Sequence, residues 1–237
     1  MLNEIEERQF DELRRLGRML RVPVPEVFLC LEVRDKSGRV VSHLKQRSHS
    51  WVRNAYNLMF SQLAGKDGDN NSFGAGYLSY KDTGGSCRYD NAPLLIGNDN
   101  DSTVDGTMYG YRAPANEDLW GIVIGSGDTA ETFEDYACAS QIANGTGAGQ
   151  MSYIESEPHD INYNAGTKTL SNTFVRYFNN NSGGSIDVKE VALVNRNNLK
   201  SYQYKVLMSR DVLGATVTIP DTGQLKVTYT IQLTYPA

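Results

Sequence analysis

From Leu225 to Tyr235 the chain alternates without a fault. Leu225, Val227, Tyr229, Ile231, Leu233 and Tyr235 fall on one side, and Lys226, Thr228, Thr230, Gln232 and Thr234 on the other. A period of two over that length predicts a long strand with one buried and one wet face. The same alternation predicts strands at 169–179 and 185–195, with shorter ones at 119–124, 203–209 and 215–219. Turn residues separate them, as in Asn179-Asn180-Asn181-Ser182-Gly183-Gly184 and Pro220-Asp221-Thr222-Gly223. Near the N-terminus the pattern differs. Ile5, Phe10, Leu13, Leu16 and Leu20 recur every three to five residues, which predicts a helix with one apolar stripe, capped by Asn3 and ended before Pro23. Val27, Leu29, Leu31 and Val33 then alternate up to a turn at Asp35-Lys36-Ser37-Gly38, and residues 39–44 return as the second arm of a β-hairpin. Ser50 is the expected N-cap of a second helix that carries Trp51, Ala55, Leu58, Met59 and Gln62 along one side and closes at Gly65.

Residues 65–118 have only short apolar islands among Gly, Asn, Asp, Ser and Tyr. A stretch of that length without its own pattern is expected to be an elaborated loop region that either meets a partner or packs on its own domain. Three parts are therefore expected: an N-terminal docking region of helix, hairpin and helix (1–64), the loop region (65–118) and an antiparallel β-sandwich (119–237). The fold class read from this order is mainly β, a jelly-roll-like sandwich with two accessory helices.

Composition agrees with many turns: 22 Gly, 40% apolar and 22% charged residues in 237. The formal net charge of −5 argues against direct binding of nucleic acid, which needs a basic face. The charge is uneven, however. Residues 1–53 hold 11 Lys/Arg against 8 Asp/Glu, and the remainder 12 against 20. A basic first helix bearing Arg14, Arg15 and Arg18 suits an acidic partner, or solvent. Tyr77, Tyr80, Tyr89, Tyr109 and Tyr111 in and around the loop region are the other candidate partner contacts. No apolar run approaches the ~20 residues of a membrane span, and the polar, acidic start is unlike a signal peptide, so a location outside the secretory route is expected. Cys30, Cys87 and Cys138 lack zinc spacing and are expected to be reduced thiols.

Chemistry is sparse. Gly125-Ser126-Gly127-Asp128-Thr129-Ala130 matches a dinucleotide-binding string, but more strand pattern follows where a helix is required, so a tight polar turn is expected. Asp67, Asp69 and Asn71 open like a calcium loop, yet Ser72 stands where that loop needs Gly and Leu78 where it needs Glu. Asp99, Asp101 and Asp105 are expected to be solvated turn residues. Glu155, Glu157 and His159 alternate on either side of Pro158 and are expected at an exposed edge. His43 and His49 have no Ser or Cys nucleophile turn nearby. The expectation is a protein with no catalytic residue, cofactor or metal.

Several strings together resemble a pattern in structural proteins of tailed bacteriophages. They are Gly121-Ile122-Val123-Ile124-Gly125-Ser126-Gly127, Phe133-Glu134-Asp135-Tyr136-Ala137, Phe174 to Phe178, Ile186 to Leu193, Leu207 to Leu213, and the closing strand with the turn before it. Ser50 to Asn57 looks like the helix upstream in such proteins, and Ala192 stands where the pattern usually has Gly. The resemblance implies a non-enzymatic virion protein, assembled in the host cytoplasm, on the exterior of the head as decoration or reinforcement, or in the neck or tail. Its implied partners are copies of itself and other virion proteins. The alternative is a carbohydrate-binding tail adhesin stacking sugars on Trp120, Tyr109 and Tyr111.

Overall fold

A computed structural model describes residues 4–48, 50–65, 72–73, 78–89, 110–199 and 202–235. The chain order is α1 (Glu4–Leu20), β1 (Val24–Arg34), β2 (Val40–Arg47), α2 (Arg53–Ala64), β3 (Tyr80–Lys81), β4 (Cys87–Arg88), β5 (Gly121–Gly125), β6 (Ser152–Tyr153), β7 (Asp160–Asn164), β8 (Thr169–Asn179), β9 (Ile186–Leu199), β10 (Tyr202–Ile219) and β11 (Gln224–Thr234). The fold is mainly β, antiparallel and sandwich-like. One sheet of six strands runs β2-β1-β11-β8-β6, with β7 also on β8, and a second runs β10-β9-β5.

The inner faces meet in one core. Leu29, Leu31 and Val33 of β1, Leu225, Val227 and Tyr229 of β11, and Phe174 and Phe178 of β8 pack in one cluster with Ile122 and Ile124 of β5, Val188 and Leu193 of β9, and Leu207 and Ile219 of β10. The closing strand is thus a central strand: β1 pairs with it from Val24↔Thr234 to Arg34↔Gln224, and β8 lies on its other side. Its threonine face points away from the core, where Thr230 meets Thr173 at 3.2 Å and Thr234 meets Thr169 at 3.0 Å across the ladder.

Three expectations change. The hairpin is no part of a separate docking region, because β1 contributes inner-face core residues and pairs along its full length with β11. Residues 203–219 form one bulged strand with breaks in register after Leu207 and Val212, rather than two strands. The second helix begins at Arg53, after Val52, with no side-chain cap; the Ser50 hydroxyl is engaged instead by Glu131. Gly65 does close it, at φ 59° in the left-handed region. Asn3 and His49 lie outside the described residues.

Each helix covers an outer face. α2 packs Ala55 and Leu58 with Tyr80, Val206 and Met208 on the outside of the three-stranded sheet. α1 lies on the outside of the large sheet and is held largely by charge. Arg47 of β2 is stacked between the rings of Phe10 (3.7 Å) and Phe28 (4.6 Å). It also donates to Glu7 (2.6 Å) and Glu26 (2.8 Å), and Arg14 donates to Glu26 at 2.7 and 2.8 Å. Of the expected apolar stripe of α1, Phe10 therefore meets the sheet, through Arg47, whereas Ile5, Leu13, Leu16 and Leu20 are exposed. The outward residues of β1 and β2 here are Glu26 and Arg47, so the helix turns its charged side toward them.

Candidate functional site

The densest polar cluster lies beneath residues 125–140, outside β9 and β10. Glu190 is fully buried and accepts four hydrogen bonds, from the backbone N–H groups of Gly127 (3.2 Å), Ala139 (3.0 Å) and Ser140 (2.8 Å) and from Arg210 Nε (2.6 Å). Arg210 continues to Asp135 (2.8 Å) and to the carbonyl of Thr129 (2.9 Å). A buried carboxylate is tolerated only when paired and hydrogen-bonded, and here both conditions are met. The Gly-Ser-Gly string takes its meaning from this carboxylate: a Cβ on Gly125 would sit 2.4 Å from Glu190 Oε1, and one on Gly127 2.6 Å from it. It is a backbone turn laid over an internal anion, and no helix follows it to cradle a phosphate.

Two further clusters extend this frame. Tyr229 Oη lies 2.5 Å from Ser48 Oγ and 2.7 Å from Ser209 Oγ, and Ser48 donates to Asp211 at 2.8 Å. All four residues are buried, and burial, with the Asp211 charge beside it, pushes the Tyr229 phenol well above its ordinary value, so the phenol stays neutral in a core network with no route for a substrate. Arg176 points into the core between Phe174 and Phe178. Its guanidinium donates to five carbonyls, those of Ile154, Trp120, Ile122, Pro114 and Glu117, at 2.5–3.1 Å. Burial lowers its pKa to about 10, still cationic at neutral pH. Sequence reasoning passed over Glu190, Arg210 and Arg176 as site residues. Parity along the strand is the signal for Arg176, which shares the side of Phe174 and Phe178.

The expected contact residues separate widely. Tyr80 is fully buried with its hydroxyl 2.7 Å from Ser61, so it is core and offers no contact surface. Tyr111 is half-buried with its ring edge-on to Phe174 at 5.1 Å. Tyr89 is exposed. Tyr77 and Tyr109 lie outside the described residues, as do the acidic loops at Asp67, Asp69, Asn71, Asp99, Asp101 and Asp105. Trp120 is fully buried with the Arg196 guanidinium 5.2 Å over its ring, which removes it from any sugar-stacking role. On α1, Arg14 is committed to Glu26 and Asp11 and Arg15 to Glu12, while Arg18 is exposed.

Glu155 and Glu157 are exposed and His159 is half-buried. Glu155 stands 4.0 Å from Arg112, and the His159 ring packs edge-on against Phe174 at 4.5 Å. His43 Nε2 lies 3.1 Å from Cys30 Sγ on the open sheet face, where burial pushes the thiol up and away from the reactive thiolate. All three cysteines are free thiols. Among the described residues no group of three or more His, Cys, Asp and Glu side chains is placed to hold a metal ion, and no helix is long and apolar enough to cross a membrane.

What stands out on the surface is apolar. α2 turns Tyr56, Met59, Phe60 and Leu63 outward, spaced as one helical stripe, with exposures of 49, 52, 57 and 83%. Met59, expected on the packed side, belongs to this stripe. Phe133 continues it, 5.6 Å from the Tyr56 ring, above an open depression of about 350 Å³ beside Trp51 and Glu131. No protein-family model, curated protein or solved structure matches the chain.

Proposed function

We propose that the protein is a non-enzymatic structural component of a tailed-bacteriophage particle, on the exterior of the head, neck or tail, which works by packing against copies of itself and neighbouring virion proteins. The observation that carries this reading is the outward stripe of α2. Scattered apolar residues are normal on a surface, but four large side chains in one helical register, continued by Phe133, form the kind of contiguous patch that marks a protein contact. The interior supports the same reading. The strings that resemble phage structural proteins converge on one buried lattice: Gly125 and Gly127 over Glu190, Asp135 and Glu190 on Arg210, and Asp211 beside Tyr229. Their polar groups are spent on holding the loop to the sandwich.

Sedimentation velocity over a range of concentrations tests the proposal. The native chain is expected to self-associate, and Phe60→Asp/Leu63→Asp, at two exposed positions, to be monomeric with an unchanged circular dichroism spectrum. A native chain that is monomeric throughout, or a double variant that associates as before, removes the observation on which the reading stands. The adhesin alternative loses Trp120 to the core.

A further inference from the structure

An open cavity of about 700 Å³ lies elsewhere, on the outer face of the six-stranded sheet between α1 and the turn from β7 to β8. Cross-strand pairs make its floor: Asn162↔Ser171↔Gln232↔Glu26 in one row and Asn164↔Thr169↔Thr234 in the next. This is a flat array of amides and hydroxyls. Cations stand on both sides, Arg18 from α1 and Lys168 from the turn, each exposed. Neither side chain has an ion pair among the described residues, unlike Arg14 beside them. The one carboxylate lining the space, Glu26, is buried and already bonded to Arg14 and Arg47, so it presents no free anion to a ligand. At the rim Tyr235 is exposed, with its ring 6.1 Å from that of Tyr163.

We propose that this groove binds an acidic saccharide, a short sugar chain bearing a carboxylate or a phosphate. The cavity is within the size range of small-molecule sites. Arg18 and Lys168 supply charge-assisted hydrogen bonds to the acid group, Asn162 and Gln232 supply the planar donors and acceptors that sugar hydroxyls require, and Tyr235 offers an aromatic face to a pyranose ring. The chemistry does not suit a nucleotide. The recess beside the groove at Gly17, Val22 and Val24 has room for about 10 Å³ and admits no base. This inference is independent of assembly through α2, since it uses the opposite sheet.

Isothermal titration with four probes tests it: galacturonic acid trimer for the carboxylate, maltotriose phosphate for the phosphate, neutral maltotriose, and a thymidine oligonucleotide. At least one acidic trimer is expected to bind saturably with a Kd on the order of 1 mM or tighter, and about tenfold tighter than neutral maltotriose. Arg18→Ala and Lys168→Ala are each expected to weaken it about tenfold or more, and Arg15→Ala, on α1 outside the groove, to leave it unchanged. All three positions are exposed, so the fold is retained and checked by circular dichroism. No saturable binding of either acidic trimer overturns the proposal. So do equal affinity for the oligonucleotide, equal loss with Arg15→Ala, and undiminished binding in an Arg18→Ala/Lys168→Ala variant.

Discussion

At Glu190 one buried carboxylate orders a turn, a loop and a neighbouring strand, because its oxygens receive three backbone amides and a guanidinium. Glu190→Gln keeps the shape but leaves Arg210 without a full counter-charge, and is expected to cost about 3 kcal/mol, the scale of breaking a buried ion pair, in urea unfolding monitored by fluorescence. Gly127→Ala is expected to destabilise too, since its Cβ would meet Ala139 Cβ at 2.7 Å as well as the carboxylate. Arg176→Met tests the other internal cation. It removes a donor from each of five carbonyls, and a loss of about 3 kcal/mol or more is expected in the same assay. Arg176 was legible in part. Strict alternation places it with Phe174 and Phe178 on the core side, and an arginine there has to be bonded; what it bonds is set by a loop some 60 residues away in sequence, which alternation does not reach.

At the scale of elements, α1 shows what a hydrophobic stripe does and does not specify. Its helical period was readable, and so was its end before Pro23. Which side would face the sheet was not, because the outward residues of β1 and β2 at that place are charged. The hairpin posed a similar limit. Its two arms are local, but its pairing with β11 joins residues about 200 positions apart, and no local pattern encodes that register. In α2 two apolar sides compete, Ala55 with Leu58 and Phe60 with Leu63, so periodicity alone could not choose which was buried. The docking of α1 by carboxylates carries a pH dependence. The bonds from Arg47 hold the Glu7 carboxyl below its ordinary 4.5. Burial alone pushes Glu26 up, but the bonds from Arg14 and Arg47 outweigh it and leave that carboxyl lowered as well. A pKa lowered in the folded state stabilises fully above the unfolded value and is lost as pH falls through the folded one. Amide exchange protection of α1 is therefore expected to be constant from pH 7 to about 5 and to fall below 4.5, after correction for intrinsic rates, ahead of the core strands. Equal loss in α1 and β11 would contradict this. Gly17→Ala is expected to loosen the same contact at neutral pH, since its Cβ would lie 2.6 Å from Val24 Cγ2.

Across the whole molecule, the sandwich covers its outer faces unequally. The three-stranded sheet is roofed by α2 and the loop over Glu190, and the six-stranded sheet only in part by α1. The interior polar groups are largely engaged within the chain, whereas the α2 stripe with Phe133 is left open. That contrast is the basis of the assembly reading: a rigid block whose contact surface is apolar and whose buried charges serve the block itself. A density map of the intact particle at side-chain resolution tests it most directly. The expected result is this chain present in symmetric copies with protein density covering Tyr56, Phe60, Leu63 and Phe133. A particle that lacks the chain, or one in which that stripe faces open solvent, would contradict the account.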